Sequence, residues 1–572
     1  MIVVRGYNVT SPLGATAAEN LCAVRRGLSS LRPCHHLWGL HDDFVASLFT
    51  PEQRETMALP GFSRFEQLAI CSARKAIRQA QADVSGPSSL FILSSTKGDI
   101  EHLTLSAHPS DAPSLPQSAL RIARYLGFST QPVVVDNACI SGLSALLLAQ
   151  RLLSMGLYRQ IVVCGCEVQS PFIVSGFQSL RALSASPCRP FDMERKGLNL
   201  GEAASTVVLS ASSAHPSSQG WMLKAGAMRN DAFHLSAPSR SAEGALRALE
   251  AVMKQQDADE LACVNAHGTA TLFNDQMESV VIERAGLGAV PVNALKGNYG
   301  HTMGACGVLE TVLTMCALNE GLVLPTKGYA ERGVSGKIRV AQAEETTKKR
   351  SFIKMLSGFG GCNAALLMEY GACADPAKGQ VEPPDYRVTH DVTLSPNSVT
   401  IDGSPLQHDD TGKQLITELY KKYVGNYPKF YKMDLLCRLG FVASELLLQA
   451  ERLDARPQDA SRAVVLMGNH GSYCADKAYL ETLSGDEGCY PSPERFIYTL
   501  PNIVTGEIAI RNHYHGETTF YLLPERDKES EEWLIRASFL DPVTTSVIGG
   551  WVDCTADDAF EAHLMLFEKN KK

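Results

Sequence analysis

The sequence predicts an α/β protein with buried sheets, and three observations carry that prediction. Short runs rich in β-branched residues, at 2–4, 90–93, 133–135, 161–163 and 206–209, alternate with longer amphipathic stretches. Unbroken apolar runs of this kind suit strands covered on both faces. With 572 residues, 45% of them hydrophobic and 20% charged, the composition is that of an ordinary globular chain, not a disordered one. At roughly 100–200 residues per domain, that length allows several structural units.

Other classes are excluded or disfavoured. No run of about 18 apolar residues occurs, so no membrane span is expected. The start, Met1-Ile-Val-Val-Arg-Gly-Tyr, lacks the basic-then-apolar layout of a secretion signal, and the expected location is the cytoplasm. The 53 Lys and Arg against 61 Asp and Glu give a net charge of −8, which argues against a nucleic-acid partner. The 16 cysteines are scattered, with one Cys-x-Cys (Cys164, Cys166) and no paired Cys-x-x-Cys. They read as buried thiols in a reducing compartment.

Along the chain, Arg64-Phe-Glu-Gln-Leu-Ala-Ile reads as a helix and 90–98 as a strand. The strand 133–135 runs into Asp136-Asn-Ala-Cys139-Ile-Ser-Gly142, and 143–153 has helical propensity with a strong apolar face. Cys139 therefore sits on a strand-to-helix turn. Unpaired N–H groups and the positive end of a helix dipole favour thiolate there and can hold an oxyanion. On this context alone Cys139 is either a nucleophile or an inert core thiol.

His267, in Val264-Asn-Ala-His-Gly-Thr-Ala-Thr, and His301, in Lys296-Gly-Asn-Tyr-Gly-His-Thr-Met-Gly, each follow a short apolar strand, so both can project into one cleft. A glycine directly after His267 and directly before His301 allows close backbone approach. Zinc is disfavoured, because no third ligand stands at helical or short-loop spacing. Lys296 and Glu310 bracket a loop-to-helix passage and can form an ion pair inside the site; the alternative is a solvated surface lysine. After a strand at 351–356, Ser357-Gly-Phe-Gly-Gly-Cys-Asn363 lacks the Lys-Ser/Thr of a phosphate loop. It reads as a flexible turn that carries Phe359 either to the mouth of a site or into packing.

Periodicity breaks after Tyr370, and Ala374-Asp-Pro-Ala-Lys-Gly-Gln-Val-Glu-Pro-Pro384 has the composition of an exposed connector. Beyond it the order of the N-terminal region recurs. The helix at 64–70 and strand at 90–98 are echoed at 433–439 and 463–471, and 156–168 is echoed at 540–553. The alternatives are a degenerate half-length repeat, which we favour, and the general likeness of any two α/β segments.

These residues resemble the β-ketoacyl-acyl carrier protein synthase family, the elongating Cys-His-His condensing enzymes. Five collinear motifs carry the resemblance: Asn137-Ala-Cys-Ile-Ser-Gly142; Cys188-Arg-Pro-Phe-Asp192 with Gly201-Glu-Ala203; His267-Gly-Thr-Ala-Thr271 with Asn274-Asp275; Lys296 through Gly-His-Thr to Gly307; and Gly358-Phe-Gly-Gly361. It covers residues 1 to about 373. The resemblance implies a thiolase-like layered αβαβα fold for 1–373, in halves of about 1–209 and 210–373. A linker at 374–384 would lead to an additional ketosynthase-like α/β half-domain at 385–572. Cys139 would accept an acyl chain as a thioester. His267 and His301 would bind the malonyl thioester carbonyl as neutral donors, supported by Lys296 and Glu310. Cys139 and Phe359 N–H groups would form the oxyanion hole, Phe359 would act as a gate, and Thr269 and Thr271 would contact the phosphopantetheine arm. The implied partners are acyl carrier protein with its acyl and malonyl thioesters, and a second ketosynthase subunit in a homodimer or heterodimer. No resident cofactor is implied, because the carrier brings the phosphopantetheine.

Two stretches depart from the family pattern. The region 97–129 and the loop from Leu183-Ser184 to Cys188 are shorter than in most elongating members, so chain-length preference does not transfer. Where Cys139 would recur in the repeat, the sequence reads Thr518-Thr-Phe-Tyr-Leu-Leu-Pro-Glu525, with no thiol, and no counterpart of His267 or His301 follows. The C-terminal segment is therefore expected to be catalytically silent and to pack on a synthase surface. A chain-length or scaffolding partner without catalysis is the competing expectation, and thiolase-like transfer a third. Basic and aromatic residues interleave in Tyr420-Lys-Lys-Tyr-Val-Gly-Asn-Tyr-Pro-Lys-Phe-Tyr-Lys432; a solvated helix end is expected over a nucleic-acid platform or a carrier-docking patch.

Overall fold

The strand order follows one rule, repeated three times, in the computed structural model, which describes residues 2–40, 42–105, 114–211, 219–372, 381–451, 460–483 and 491–570. The first copy contains β1 (Ile2–Thr10), α1 (Arg64–Ala80), β2 (Ser89–Ser94), β3 (Val133–Val135), α2 (Ser141–Ser154), β4 (Gln160–Glu167) and β5 (Ala203–Ala211). Its strands lie in the order β3-β2-β4-β5-β1, parallel through β4 and antiparallel beyond. The second contains β6 (Gln219–Asn230), β7 (Cys263–Asn265), α3 (Leu272–Arg284), β8 (Pro291–Asn293), α4 (Cys306–Asn319), β9 (Arg339–Val340), β10 (Ser351–Gly358) and β11 (Cys362–Ala372). Its order, β8-β7-β10-β11-β6, is the same, with β9 added at the β8 edge. The third contains β12 (Tyr386–Ser395), α5 (Leu435–Ala450), β13 (Arg462–Gly468), α6 (Ile503–Asn512), β14 (Thr518–Leu522), α7 (Lys528–Ser538), β15 (Ser546–Ala556) and β16 (Ala559–Lys569), in the order β14-β13-β15-β16-β12.

Local chemistry explains these elements. α1 starts in a capping box between Ser63 and Glu66, and α5 is capped by Asp434. Nearly every residue of α2 and α4 is buried, as helices in a central layer must be, which is why neither carries a polar face. β2 ends at Ser94, short of the expected Gly98, because Ser95 turns the chain by accepting the Gly98 N–H at 3.1 Å.

The copies are joined edge to edge. β1 meets β6 antiparallel, pairing Ile2 with Leu223. β3 meets β14 antiparallel, pairing Val135 with Tyr521 and Val134 with Leu522, so the C-terminal segment extends the N-terminal sheet of its own chain. Two hydrophobic cores run through this junction: Val135, Leu147, Tyr521 and Trp533 share one, and Phe91, Val134, Phe520 and Leu439 the other. Buried pairs cross it as well: Arg151 with Glu517 at 2.7 Å, and Arg229 with Asp541 at 2.5 Å. Of the expected connector, residues 374–380 lie outside the described residues; Val381 donates its N–H to Ser154 O at 2.9 Å. In the aromatic-basic stretch Tyr420 and Phe430 stack at 3.9 Å and are buried, while Tyr423 and Tyr431 are exposed beside its lysines. Among the described residues no helix is long and apolar enough to cross a membrane.

Candidate active site

The turn after β3 is built to present Cys139. Ala138 adopts the left-handed conformation at φ +48°, a backbone state that costs energy in a residue with a Cβ and reverses the chain sharply. The Ser141 hydroxyl staples the turn, accepting the Asn137 N–H at 2.8 Å and donating to Ala138 O at 2.6 Å. The C-terminal segment braces it from outside: the Asp136 N–H donates to Phe520 O at 3.2 Å, and Asn137 Nδ2 donates to Thr518 O at 3.0 Å. Cys139 keeps partial exposure into a cavity. Burial pushes its thiol up to about 12, the Cys306 thiol adds to this, and Lys296 opposes it. Burial thus works against the thiolate that a helix start favours, and it is the largest influence on this sulfur.

His267 follows β7, with its N–H held by Glu278 Oε1 at 2.5 Å and that of Gly268 by the other carboxylate oxygen at 2.8 Å. His301 follows β8 through Gly300, at φ +68°, where a Cβ would lie 2.5 Å from Leu200 O. Only glycine fits so close to the neighbouring backbone. The His301 N–H donates to Asn199 O at 2.6 Å and the Gly201 N–H to His301 O at 3.1 Å; a Cβ on Gly201 would lie 2.0 Å from Tyr299 O, which accounts for the glycine of the Gly-Glu-Ala motif. The two rings sit edge to face, centroids 4.9 Å apart, and one donor atom from each lies within 4.8 Å of the other and of the Cys139 sulfur.

Both imidazoles are neutral. Burial lowers each well below the ordinary histidine range, reinforced by the Lys296 and Lys354 ammoniums. His301 Nδ1 accepts the Met303 N–H at 3.2 Å, so the proton sits on Nε2, which has no partner among the described residues. Cys139 supplies a third donor beside the two histidines from a distant part of the chain, so local spacing does not exclude zinc. Tautomer chemistry argues against it instead: a metal-bound histidine donates its other ring N–H, whereas His301 accepts at Nδ1 and turns N–H, not a lone pair, to its free side.

Behind the histidines, Lys296 Nζ pairs with Glu310 Oε1 at 2.5 Å, all within the core. Lys354 pairs with the other Glu310 oxygen and donates to Ala266 O at 3.0 Å. Burial alone would raise the Glu310 carboxyl, but the two ammoniums hold it below the usual range.

The cavity in front of Cys139 measures about 360 Å³ and is lined by both histidines, Thr269, Thr271 and Phe359. The two threonine hydroxyls bond each other at 2.9 Å. Behind the thiol lies an apolar recess of about 20 Å³, walled by Ile173, Phe177, Met303, Phe359, Phe496 and Leu500. Phe359 borders both spaces, where a gate would stand.

Comparison with known proteins settles the family. Residues 2–215 match the β-ketoacyl synthase N-terminal domain and residues 221–330 its C-terminal domain. The chain belongs to the β-ketoacyl synthase family. A nodulation protein E of Rhizobium meliloti is 32% identical over 289 residues, spanning 48% of this chain and 69% of that protein. The tetracenomycin polyketide synthase ketoacyl synthase alpha subunit of Streptomyces glaucescens is 28% identical over 420 residues, 64% of this chain and 96% of that one. The ketosynthase ApeO in complex with its chain length factor ApeC, from Xenorhabdus doucetiae, matches 65% of this chain and 98% of that one, with a TM-score of 0.56 and 23% identity. The PfaC keto synthase–chain length factor matches 99% of this chain and 78% of that one, with a TM-score of 0.75 and 15% identity. The fold of this β-ketoacyl synthase is thiolase-like, and its chemistry is that of a condensing acyltransferase.

Cys139, His267 and His301 converge on one cavity of the β-ketoacyl synthase, with Thr269, Thr271 and Phe359 along its wall and Lys296 with Glu310 beneath it. Sequence reasoning missed Lys354, Glu278 and Cys306. The signal for Lys354 is a lysine inside the apolar run Phe352-Ile-Lys-Met-Leu356, where a strand has no solvent face to offer it.

Proposed function

We propose that the chain is a 3-oxoacyl-acyl carrier protein synthase that joins an acyl thioester to malonyl-acyl carrier protein by decarboxylative Claisen condensation, in fatty-acid or polyene-type polyketide synthesis. One observation carries this reading: a cavity-facing thiol beside two neutral imidazoles. The Cys139 sulfur attacks the acyl carbonyl, its proton leaves with the carrier thiol, and a neutral thioester replaces a neutral thiol, so no charge stays buried. Cys139 and Phe359 N–H groups hold the transient oxyanion. His267 and His301 then donate to the malonyl carbonyl oxygen as the bond to CO2 breaks, and the enolate carbon attacks the Cys139 thioester, expelling the sulfur as a thiolate that takes a proton from water to restore the thiol. Two fixed donors stabilise that enolate without a metal. Thr269 and Thr271 contact the phosphopantetheine arm, which the carrier supplies, so the enzyme holds no cofactor of its own.

Residues 1–373 form the synthase, 374–384 the linker, and 385–572 a half-domain without a nucleophile. The half-domain pairs with β3 in cis, so that edge is already taken within the chain and is not open to a second one. The competing reading, a non-catalytic partner, is disfavoured by the intact Cys139, His267 and His301. The test incubates the protein with acyl- and malonyl-carrier protein and follows Cys139 by mass spectrometry. An acyl adduct and a product two carbons longer are expected. Cys139→Ser abolishes the adduct, while His301→Ala keeps it and stops decarboxylation; a serine variant that elongates normally rules the assignment out.

A further inference from the structure

The loop that carries Phe359 is gripped from three directions. The Gly360 N–H donates to Leu235 O at 2.6 Å, and Asn230 Nδ2 donates to Gly360 O at 2.8 Å. The third grip comes from the C-terminal segment: Asn502 Nδ2 donates to Phe359 O at 2.9 Å. Asn502 occupies the N-cap of α6 yet makes no side-chain capping bond, the usual use of asparagine there. Its side chain is directed at the loop instead. It is 1% exposed, and its Oδ1 is buried with no partner among the described residues. An amide kept half-unsatisfied in the core runs against the usual pairing of buried polar atoms. Two glycines make the approach possible. A Cβ on Gly360, at φ +88°, would lie 2.8 Å from Asn502 Nδ2, and one on Gly506 would lie 2.7 Å from Gly360 O.

We infer that Asn502, on the chemically silent segment, is a positioning residue for acyl transfer: its amide holds the Phe359 carbonyl, and with it the turn, so that the Phe359 N–H, on the preceding peptide, is kept beside that of Cys139. The loop's closeness to the nucleophile supports this, since a Cβ on Gly358 would lie 3.2 Å from Cys139 N. The inference rests on the condensation reading above. It makes the C-terminal segment part of one half-reaction, thioester formation, which uses the backbone donors. Decarboxylation, which uses His267 and His301, is left largely untouched.

Two single-turnover rates on the full chain test it: acylation of Cys139 from an acyl-carrier protein, followed by mass spectrometry, and CO2 release from malonyl-carrier protein. Asn502→Asp keeps the shape but turns an oxygen toward the Phe359 carbonyl, and Asn502→Ala removes the donor. Both should slow acylation by about tenfold to a hundredfold, as small misplacements of a reacting geometry do, with decarboxylation changed less than twofold. Gly506→Ala, which leaves the amide but presses on the loop, should give the same split. Acylation at the wild-type rate, or equal loss of both rates in all three variants, overturns the inference while condensation stands. Wild-type protein whose Cys139 is never acylated overturns the condensation reading and this inference with it.

Discussion

A thiol beside two neutral imidazoles leaves no net charge on the three groups that meet in the cavity, and the ionised groups, Lys296, Lys354 and Glu310, are gathered behind them. That arrangement has a measurable consequence. A thiol pushed up to about 12 gains thiolate tenfold for each unit of pH as long as the pH stays below that value. Alkylation of Cys139 by iodoacetamide should therefore keep rising, about tenfold per unit, from pH 7 to 10. Peptide mass spectrometry reads the rate directly, and a plateau near pH 8.5, the behaviour of an unperturbed cysteine, would show that the helix start cancels burial. Cys139, His267 and His301 were legible in the sequence because each carries a local signature, a strand-to-helix turn or a flanking glycine. Glu278 and Cys306 were not, because a carboxylate that holds two backbone N–H groups and a thiol that donates to the carbonyl of Cys139 carry no pattern in their own neighbourhood.

At the scale of elements, the recess behind Cys139 is closed by a short helix, Pro493–Tyr498, of the C-terminal segment. Phe496 from that helix seats on Gly176, where a Cβ would come within 2.1 Å of its ring, and it meets Phe177 edge-on at 5.5 Å. A space of about 20 Å³ admits little more than one water-sized group, so an acyl chain that entered it would have to be short or to move this ring. Phe496→Ala should let Cys139 take an octanoyl group at least tenfold faster relative to acetyl, measured as competing adducts by mass spectrometry. An unchanged ratio would mean that the chain leaves by another path. The helices and strands around the recess were readable from periodicity. The wall itself was not, because Gly176 and Phe496 stand far apart in the chain and only the fold puts one against the other.

At the scale of the whole molecule, the repeat could be read from the order of its elements, but the edge it joins could not: strand pairing between β3 and β14 depends on which faces are left bare once each copy has folded. That pairing decides what truncation does. Removing 385–572 strips β14 from β3, leaving an unpaired apolar edge of the kind that templates aggregation. It splits both hydrophobic cores, and it removes Glu517 and Asp541, the partners of Arg151 and Arg229; where the segment stays and only the partner goes, the guanidinium is stranded in the interior. A buried charge left without its partner costs about 3–5 kcal/mol, comparable to much of the stability of a domain. The truncated chain should therefore appear in the insoluble fraction or as large aggregates by size-exclusion chromatography, without an acyl adduct on Cys139. Asp541→Ala in the full chain should lower stability by a similar 3–5 kcal/mol in denaturant unfolding, because it strands Arg229 alone. A soluble, monodisperse 1–384 fragment that still acylates Cys139 at the full-length rate would show that the segment is an appendage, and that the pairing contributes nothing to the site.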